Sequence, residues 1–300
     1  MKRVIIPSLI LLVIFILIII GLILIKIKIK HIENAIYYSF TNTLECGNEQ
    51  CPANAVYNIP DIPNLLDEIK TAKYCVNLVK KITSFQGTIV DPEGLERISP
   101  LLHDEVNTQP FGIIWKSDTI LWIALRGTET IEEMQKDLDY SQVSIGNGIK
   151  VHKGFNDVCN TVIRAIKTAI KENDKSTIVI SGHSLGAAVA ILLGYYINKD
   201  SDINQDNLNI EVYTFAPPRV GNKQFCDEYD NEDNLKLYRY VNTCDIVPTL
   251  PLSVLPNFSD ITEPYFYNDC GKLIEFTLNW KSILNNHLMG VYITGIYSHI

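Results

Sequence analysis

The spacing of hydrophobic positions changes several times along this chain, and each change predicts an element. Val4 to Ile25 is a 22-residue run without a charge, interrupted only by Pro7, Ser8 and Gly21. About twenty apolar residues suffice for a helix to cross a hydrocarbon core, so the run predicts a transmembrane span. A cleaved signal peptide is the rival reading. Against it, the run outlasts an ordinary signal-peptide core and passes into Ile-Lys repeats rather than small residues. An uncleaved N-terminal anchor is therefore expected over residues 1–30. Residues 31–62, with Cys46, Cys51, Pro52 and Pro60, read as a stalk or irregular lead-in. From Pro63 to Ile82, Leu65, Leu66, Ile69, Ala72, Val76, Val79 and Ile82 recur at helical spacing. Phe111–Trp115 and Thr119–Arg126 are strand-like runs separated by Lys116-Ser117-Asp118, which predicts a hairpin. Val158, Val162, Ile166, Ala169 and Ile170 mark a second amphipathic helix. Thr177–Ile180 reads as a buried strand, Leu185–Ile197 as the helix after it, and Ile210–Phe215 and Leu235–Val241 as two more strands. Strands alternating with helices predict an α/β domain over 63–300, a mostly parallel sheet covered by helices.

Charge adds a restriction. Residues 1–30 hold five of the 26 basic residues (Lys2, Arg3, Lys26, Lys28, Lys30) and no acidic one, leaving 21 basic against 34 acidic residues, a balance of −13. Such a body argues against nucleic acid, whose phosphates call for basic patches. It gives no general attraction to anionic membranes either, so membrane affinity has to come from apolar surface or from residues 4–25. Basic residues flank both ends of that run, and the positive-inside rule nearly cancels; a body outside the cytoplasm is mildly preferred. The seven cysteines cannot all pair within one chain, and they form no Cys-x-x-Cys or Cys/His grouping suited to a metal. Cys46 and Cys51 could close a small loop in an oxidising compartment; buried free thiols are otherwise expected. The sequon Asn257-Phe258-Ser259 is compatible with a lumenal body. No metal, organic cofactor or obligate protein partner is implied.

The chemistry concentrates at Gly182-His183-Ser184-Leu185-Gly186, between a predicted strand and a predicted helix. That is the setting of a nucleophile elbow, where a sharp turn presents a serine at a helix N-terminus and flanking glycines relieve the crowding. A serine needs a base and an orienting carboxylate, and in α/β-hydrolases both follow it, the acid before the histidine. Of six histidines only His287 and His299 lie beyond Ser184. Asp245 follows the strand Leu235–Val241 and is a candidate acid; Asp260, Glu263 and Asp269 remain alternatives by position. His183 and His152 read as packing or hydrogen-bonding residues, and Arg126 and Arg219 as structural tethers.

Five separate blocks are similar to the fungal-type (class 3) lipase family of the α/β-hydrolase superfamily, in that family's order, across about residues 63–299. Ile123-Ala124-Leu125-Arg126-Gly127-Thr128 resembles its oxyanion-loop strand, and Val151-His152-Lys153-Gly154-Phe155 its V-H-x-G-F block. Gly182–Ala187 resembles the elbow, and Phe215-Ala216-Pro217-Pro218-Arg219-Val220-Gly221-Asn222 the P-R-V-G-N segment. Tyr238-Arg239 followed by Asp245-Ile246-Val247-Pro248-Thr249-Leu250-Pro251 resembles the block carrying the catalytic aspartate. The resemblance implies Ser184, Asp245 and His287 as a catalytic triad, the last because His287-Leu288-Met289 and Tyr292 match the family's H-x-M-x-x-Y pattern. It also implies the backbone N–H groups of Thr128 and Leu185 as an oxyanion hole. The segment after Thr128 corresponds to a lid, with Ile131, Met134 and Leu138 at helical spacing. A lipid acyl ester is the implied substrate. A soluble-ester esterase and a catalytically silent membrane-tethered scaffold are the alternatives.

Overall fold

The computed structural model describes residues 67–84, 89–98, 110–127, 140–173, 175–203, 208–257, 259–260, 262–280 and 282–300, without the side chains of Ile283, Leu284 and His299. The expected anchor and lead-in, Thr128, and the expected lid residues Ile131, Met134 and Leu138 lie outside the described residues. Among the described residues no helix is long and apolar enough to cross a membrane.

In chain order the elements are α1 (Glu68–Thr83), β1 (Glu96–Arg97), β2 (Gly112–Lys116), β3 (Ile120–Leu125), β4 (Gln142–Gly146), β5 (Ile149–His152), α2 (Lys153–Asn173), β6 (Thr177–His183) and α3 (Leu185–Asn198). There follow β7 (Asn209–Phe215), α4 (Lys223–Asp230), β8 (Leu235–Asn242), β9 (Val254–Leu255), β10 (Tyr265–Phe266), β11 (Lys272–Phe276), α5 (Ile283–Asn286) and α6 (Met289–His299). Helix α1 starts where the Asp67 carboxylate accepts the Lys70 N–H at 2.9 Å, and Lys80 and Lys81 in its last turn suit the helix dipole. Asn222 caps α4 in the same way, accepting the Phe225 N–H at 3.1 Å.

Seven strands form one sheet in the order β1-β2-β3-β6-β7-β8-β11. The expected hairpin is β2–β3, antiparallel with Trp115 opposite Trp122. From β3 through β6, β7 and β8 to β11 every pairing is parallel. Both faces of the central strands are covered, which explains why they read as continuous apolar runs rather than alternating ones. Ile178, Ile180, Ile210 and Val212 pack with the apolar faces of α2 and α3. Val179, Tyr213, Phe215 and Tyr240 pack on the other side with α1 and α6. Apart from Tyr196, every residue of α3 is buried, as befits a helix apolar around its whole circumference.

Several elements go beyond the sequence expectations, among them the β4–β5 hairpin and helices α4 to α6. Strand β6 continues past Ile180 to His183, so it delivers the chain directly into the elbow. Strand β11 was not expected; as an edge strand it is mostly exposed and carries little hydrophobic pattern. Cys226 in α4 and Cys270 before β11 form a disulfide, where free buried thiols were the expectation. Cys75 and Cys159 are free and buried, while Cys46 and Cys51 lie outside the described residues. The architecture is that of an α/β-hydrolase, and it brings the C-terminal ends of β3, β6, β7 and β8 to one edge of the sheet, where such folds place their sites.

Candidate active site

Ser184 sits between β6 and α3 with φ 56° and ψ −121°. A non-glycine residue in that region is strained, and strain of this kind collects at functional positions. The flanking glycines are required by space. A Cβ on Gly182 would come within 2.7 Å of Ala187 N, and one on Gly186 within 2.7 Å of the Leu125 carbonyl oxygen. The turn is fastened by the Ser184 N–H donating to Phe215 O at 3.0 Å and by Ser184 O accepting the Ala187 N–H at 3.0 Å. Leu185 is the first helical residue, so its N–H has no carbonyl partner within the helix.

His287 lies in the turn between α5 and α6, and Asp245 in the turn after β8. His287 Nε2 is 2.8 Å from Ser184 Oγ, and His287 Nδ1 is 2.7 Å from Asp245 Oδ2. All three side chains are buried. A carboxylate can only accept, so Nδ1 carries the proton and Nε2 is left to accept from the serine hydroxyl. Asp245 is held on both oxygens: Oδ1 accepts the Val247 N–H at 2.9 Å and Oδ2 the Tyr292 hydroxyl at 2.7 Å. Burial and the neighbouring Asp245 push the Tyr292 phenol well above its ordinary pKa, so it stays protonated and donates.

The other carboxylates considered for the acid are engaged elsewhere. Asp260 accepts from Thr262, and Glu263 faces Lys150 at 3.5 Å. Asp269 bridges Arg219 at 3.0 Å and Arg239 at 2.6 Å. The side chain of His299, the second histidine considered, is outside the described residues. Arg126 tethers the loop after β3, donating to Pro110 O at 2.8 Å and Gly127 O at 3.1 Å. Thr128 is not described, but Gly127 reaches the elbow: a Cβ on it would stand 3.0 Å from Ser184 Cβ.

Two contacts join partners that the sequence did not pair, although His183 was expected to pack or hydrogen-bond. His183, inside the elbow, places Nε2 2.9 Å from the His287 carbonyl oxygen and its ring 4.8 Å from the His287 ring. Burial, and then the charge His287 can carry, push its pKa down to about 3, so it is neutral and donates. His152 stacks on Phe155 with ring centroids 3.8 Å apart, in keeping with a packing role. The second contact is a pair of buried asparagines, Asn242 and Asn286, behind Asp245 and His287. Asparagine is usually a surface or turn residue, and only the fold shows that these two meet.

The family model for Lipase (class 3) matches residues 122–255, which include the elbow and Asp245 and end before His287. Over that stretch the chain is similar to the class 3 lipase family. It is 32% identical over 159 residues to a lipase of Rhizomucor miehei, covering 51% of this chain and 43% of that protein. It is 30% identical over 154 residues to a secreted mono- and diacylglycerol lipase of Malassezia globosa, covering 46% and 49%. The chain thus spans less than half the length of these curated relatives. Among solved structures, a triacylglycerol lipase whose catalytic centre is a serine protease triad superposes with a TM-score of 0.53 at 27% identity, over 62% of this chain and 75% of that one. Two of the blocks that resemble class 3 lipases pack on one another here: His152 N–H donates to Val220 O at 2.8 Å, and Val151 bridges Gly221.

Proposed function

We propose that this chain is a membrane-anchored serine hydrolase that cleaves acyl esters of glycerolipids. The observation that carries the reading is the unbroken hydrogen-bonded run from Ser184 through His287 to Asp245 at a strained elbow, in a chain similar to class 3 lipases over residues 122–255. Ser184 Oγ attacks the ester carbonyl as His287 Nε2 takes its proton. The tetrahedral oxyanion is held by the N–H groups of Leu185 and Thr128. Its collapse expels the alcohol, which takes the proton from His287. Water then repeats the attack on the acyl-enzyme and releases the fatty acid, while Asp245 keeps His287 in one tautomer and stabilises the imidazolium. No cofactor or metal takes part.

Residues 4–25 anchor the folded domain (63–300) at the membrane through the lead-in 31–62, with the body outside the cytoplasm. In support, one relative is a secreted protein, and the Cys226–Cys270 disulfide suits an oxidising compartment. Ile131, Met134 and Leu138 form one side of a lid that is only modestly apolar, so turnover depends weakly on a lipid–water interface. Acylglycerols stand first as substrates because both the mono- and diacylglycerol lipase and the triacylglycerol lipase resemble this chain.

The test uses the full-length chain in detergent micelles, a fluorophosphonate probe and a Ser184→Ala control. Tri-, di- and monoacylglycerol, a phospholipid and a short-chain soluble ester are then offered as substrates. Labelling that depends on Ser184, with turnover of a glycerolipid, is the expected result. Absence of labelling would make the chain a hydrolase-fold scaffold. Turnover of the soluble ester alone would make it a non-lipid esterase.

A further inference from the structure

Asp245 and His287 are separated by 42 residues and stand on different turns, so their alignment depends on whatever joins those turns. Two buried carboxamides do. Asn242 is the last residue of β8 and fully buried. Its Nδ2 donates to Leu278 O at 2.8 Å and to Asn286 O at 3.2 Å. Its Oδ1 accepts from the N–H groups of Leu278 at 2.9 Å and Cys244 at 3.3 Å. Asn286 ends α5, immediately before His287, and is also fully buried. Its Nδ2 donates to Cys244 O at 2.9 Å and Asn279 Oδ1 at 3.3 Å, and its Oδ1 accepts from the Trp280 N–H.

We propose that Asn242 and Asn286 form a carboxamide clasp that sets the distance between Asp245 and His287, acting as positioning residues. The inference rests on the triad reading above. Each asparagine reaches from its own turn to the other's: Asn242 to the carbonyl preceding His287, Asn286 to the carbonyl preceding Asp245. The residue type follows from the task. A carboxamide offers two donors and two acceptor sites without a charge. Asn242 uses all four on partners from three stretches of chain. An apolar residue would strand buried backbone groups, and a carboxylate would bring an unpaired charge into a dry site and lack the donors. Ser184 meets His287 from the opposite side, where His183 holds the His287 carbonyl, so the clasp acts chiefly on the Asp245 contact.

The test compares full-length wild type with Asn286→Ala and Asn242→Ala, using Asn286→Ser and Asn242→Ser if the alanine variants do not fold. The rate of Ser184 labelling by a fluorophosphonate is measured well below each melting temperature. Each substitution is also made in an Asp245→Ala background. A positioning clasp predicts a tenfold to hundredfold fall in the maximal labelling rate, unchanged probe affinity, and a loss at least about tenfold smaller in the Asp245→Ala background. Equal losses in both backgrounds, or a labelling rate within about threefold of wild type despite a lower melting temperature, would overturn it. The far-downfield proton resonance of His287 Nδ1–H gives a readout independent of turnover, expected in wild type and lost in the variants. If wild type is not labelled at all, the hydrolase reading fails and the resonance decides the clasp: retained in Asn286→Ser, it overturns the clasp, and lost there, it supports it.

Discussion

The Tyr292 hydroxyl stands 2.7 Å from Asp245 Oδ2, the same oxygen that receives His287 Nδ1–H at 2.7 Å. Two donors on one buried oxygen fix the carboxylate plane, and Val247 N–H on Oδ1 completes the hold. The phenol oxygen also accepts the Asn242 N–H at 3.2 Å. Tyr292→Phe removes a hydrogen bond to a charged group, worth about 1.5 kcal/mol or more. The expected result is a fall of roughly tenfold in kcat on an ester substrate with KM unchanged, because the loss is in aligning the base rather than in binding. A small drop in melting temperature should accompany it, since the Asn242 N–H loses its acceptor. An unchanged kcat would mean that Tyr292 only packs.

How far the sequence reached is visible in these same residues. The elbow was legible because its chemistry is local: a strand, two glycines and a helix are consecutive in the chain. Asp245 and His287 were not singled out by position alone; resemblance to class 3 lipases selected them, and the fold brings them to Ser184. The central strands were legible because burial on both faces makes them continuously apolar, whereas edge strand β11 is mostly exposed and left little trace. The Cys226–Cys270 pairing spans 44 residues and needs the packing of α4 against the sheet to be seen. Asn242 and Asn286 carry no such signal, since the bonds that join their two turns link residues 36 to 44 positions apart.

The choice of Asp245 over Asp269 can be tested directly. Asp269 joins Arg219 and Arg239, and burial lowers the pKa of Arg239 in spite of this partner. Asp269→Asn leaves the buried Arg239 without its carboxylate. Breaking such a pair is destabilising, but the Asp269 side chain is 40% exposed, so solvent screening reduces the expected cost to about 1–2 kcal/mol. Ser184 labelling at 25 °C should stay within about threefold of wild type. Asp245→Asn should instead lower the rate by roughly 10³-fold to 10⁴-fold, because the amide would favour the wrong imidazole tautomer. The reverse ordering in a labelling time course would reassign the acid.

The disulfide predicts a different separation, between stability and chemistry. Cys270 precedes β11 and Cys226 lies in α4, so the link sits near the N-terminal ends of the parallel strands, while Ser184 and Asp245 follow their C-terminal ends. Replacing both cysteines with serine should cost about 2–4 kcal/mol, through a less constrained unfolded chain. Melting temperature should drop by roughly 5–15 °C, with the rate of Ser184 labelling at 25 °C unchanged. A double variant that melts with wild type would show that the bond contributes no net stability.

His183 makes the acid side of the stability curve a test of the elbow. Its ring is buried against His287 and Tyr292, with Asp245 as the nearby carboxylate. Burial, reinforced by His287, holds its pKa at about 3, against about 6.5 in an unfolded chain. Between those values the unfolded chain binds a proton that the folded chain refuses. The contribution of His183 to stability is therefore complete above pH 6.5 and is lost progressively as pH falls toward 3. At pH 5 the loss should be about 2 kcal/mol. His183→Gln keeps an N–H for the His287 carbonyl but cannot titrate, so its urea midpoints at pH 7 and pH 5 should lie closer together than those of wild type. If both proteins weaken equally between the two pH values, another group governs the acid limb and the buried neutral imidazole does not.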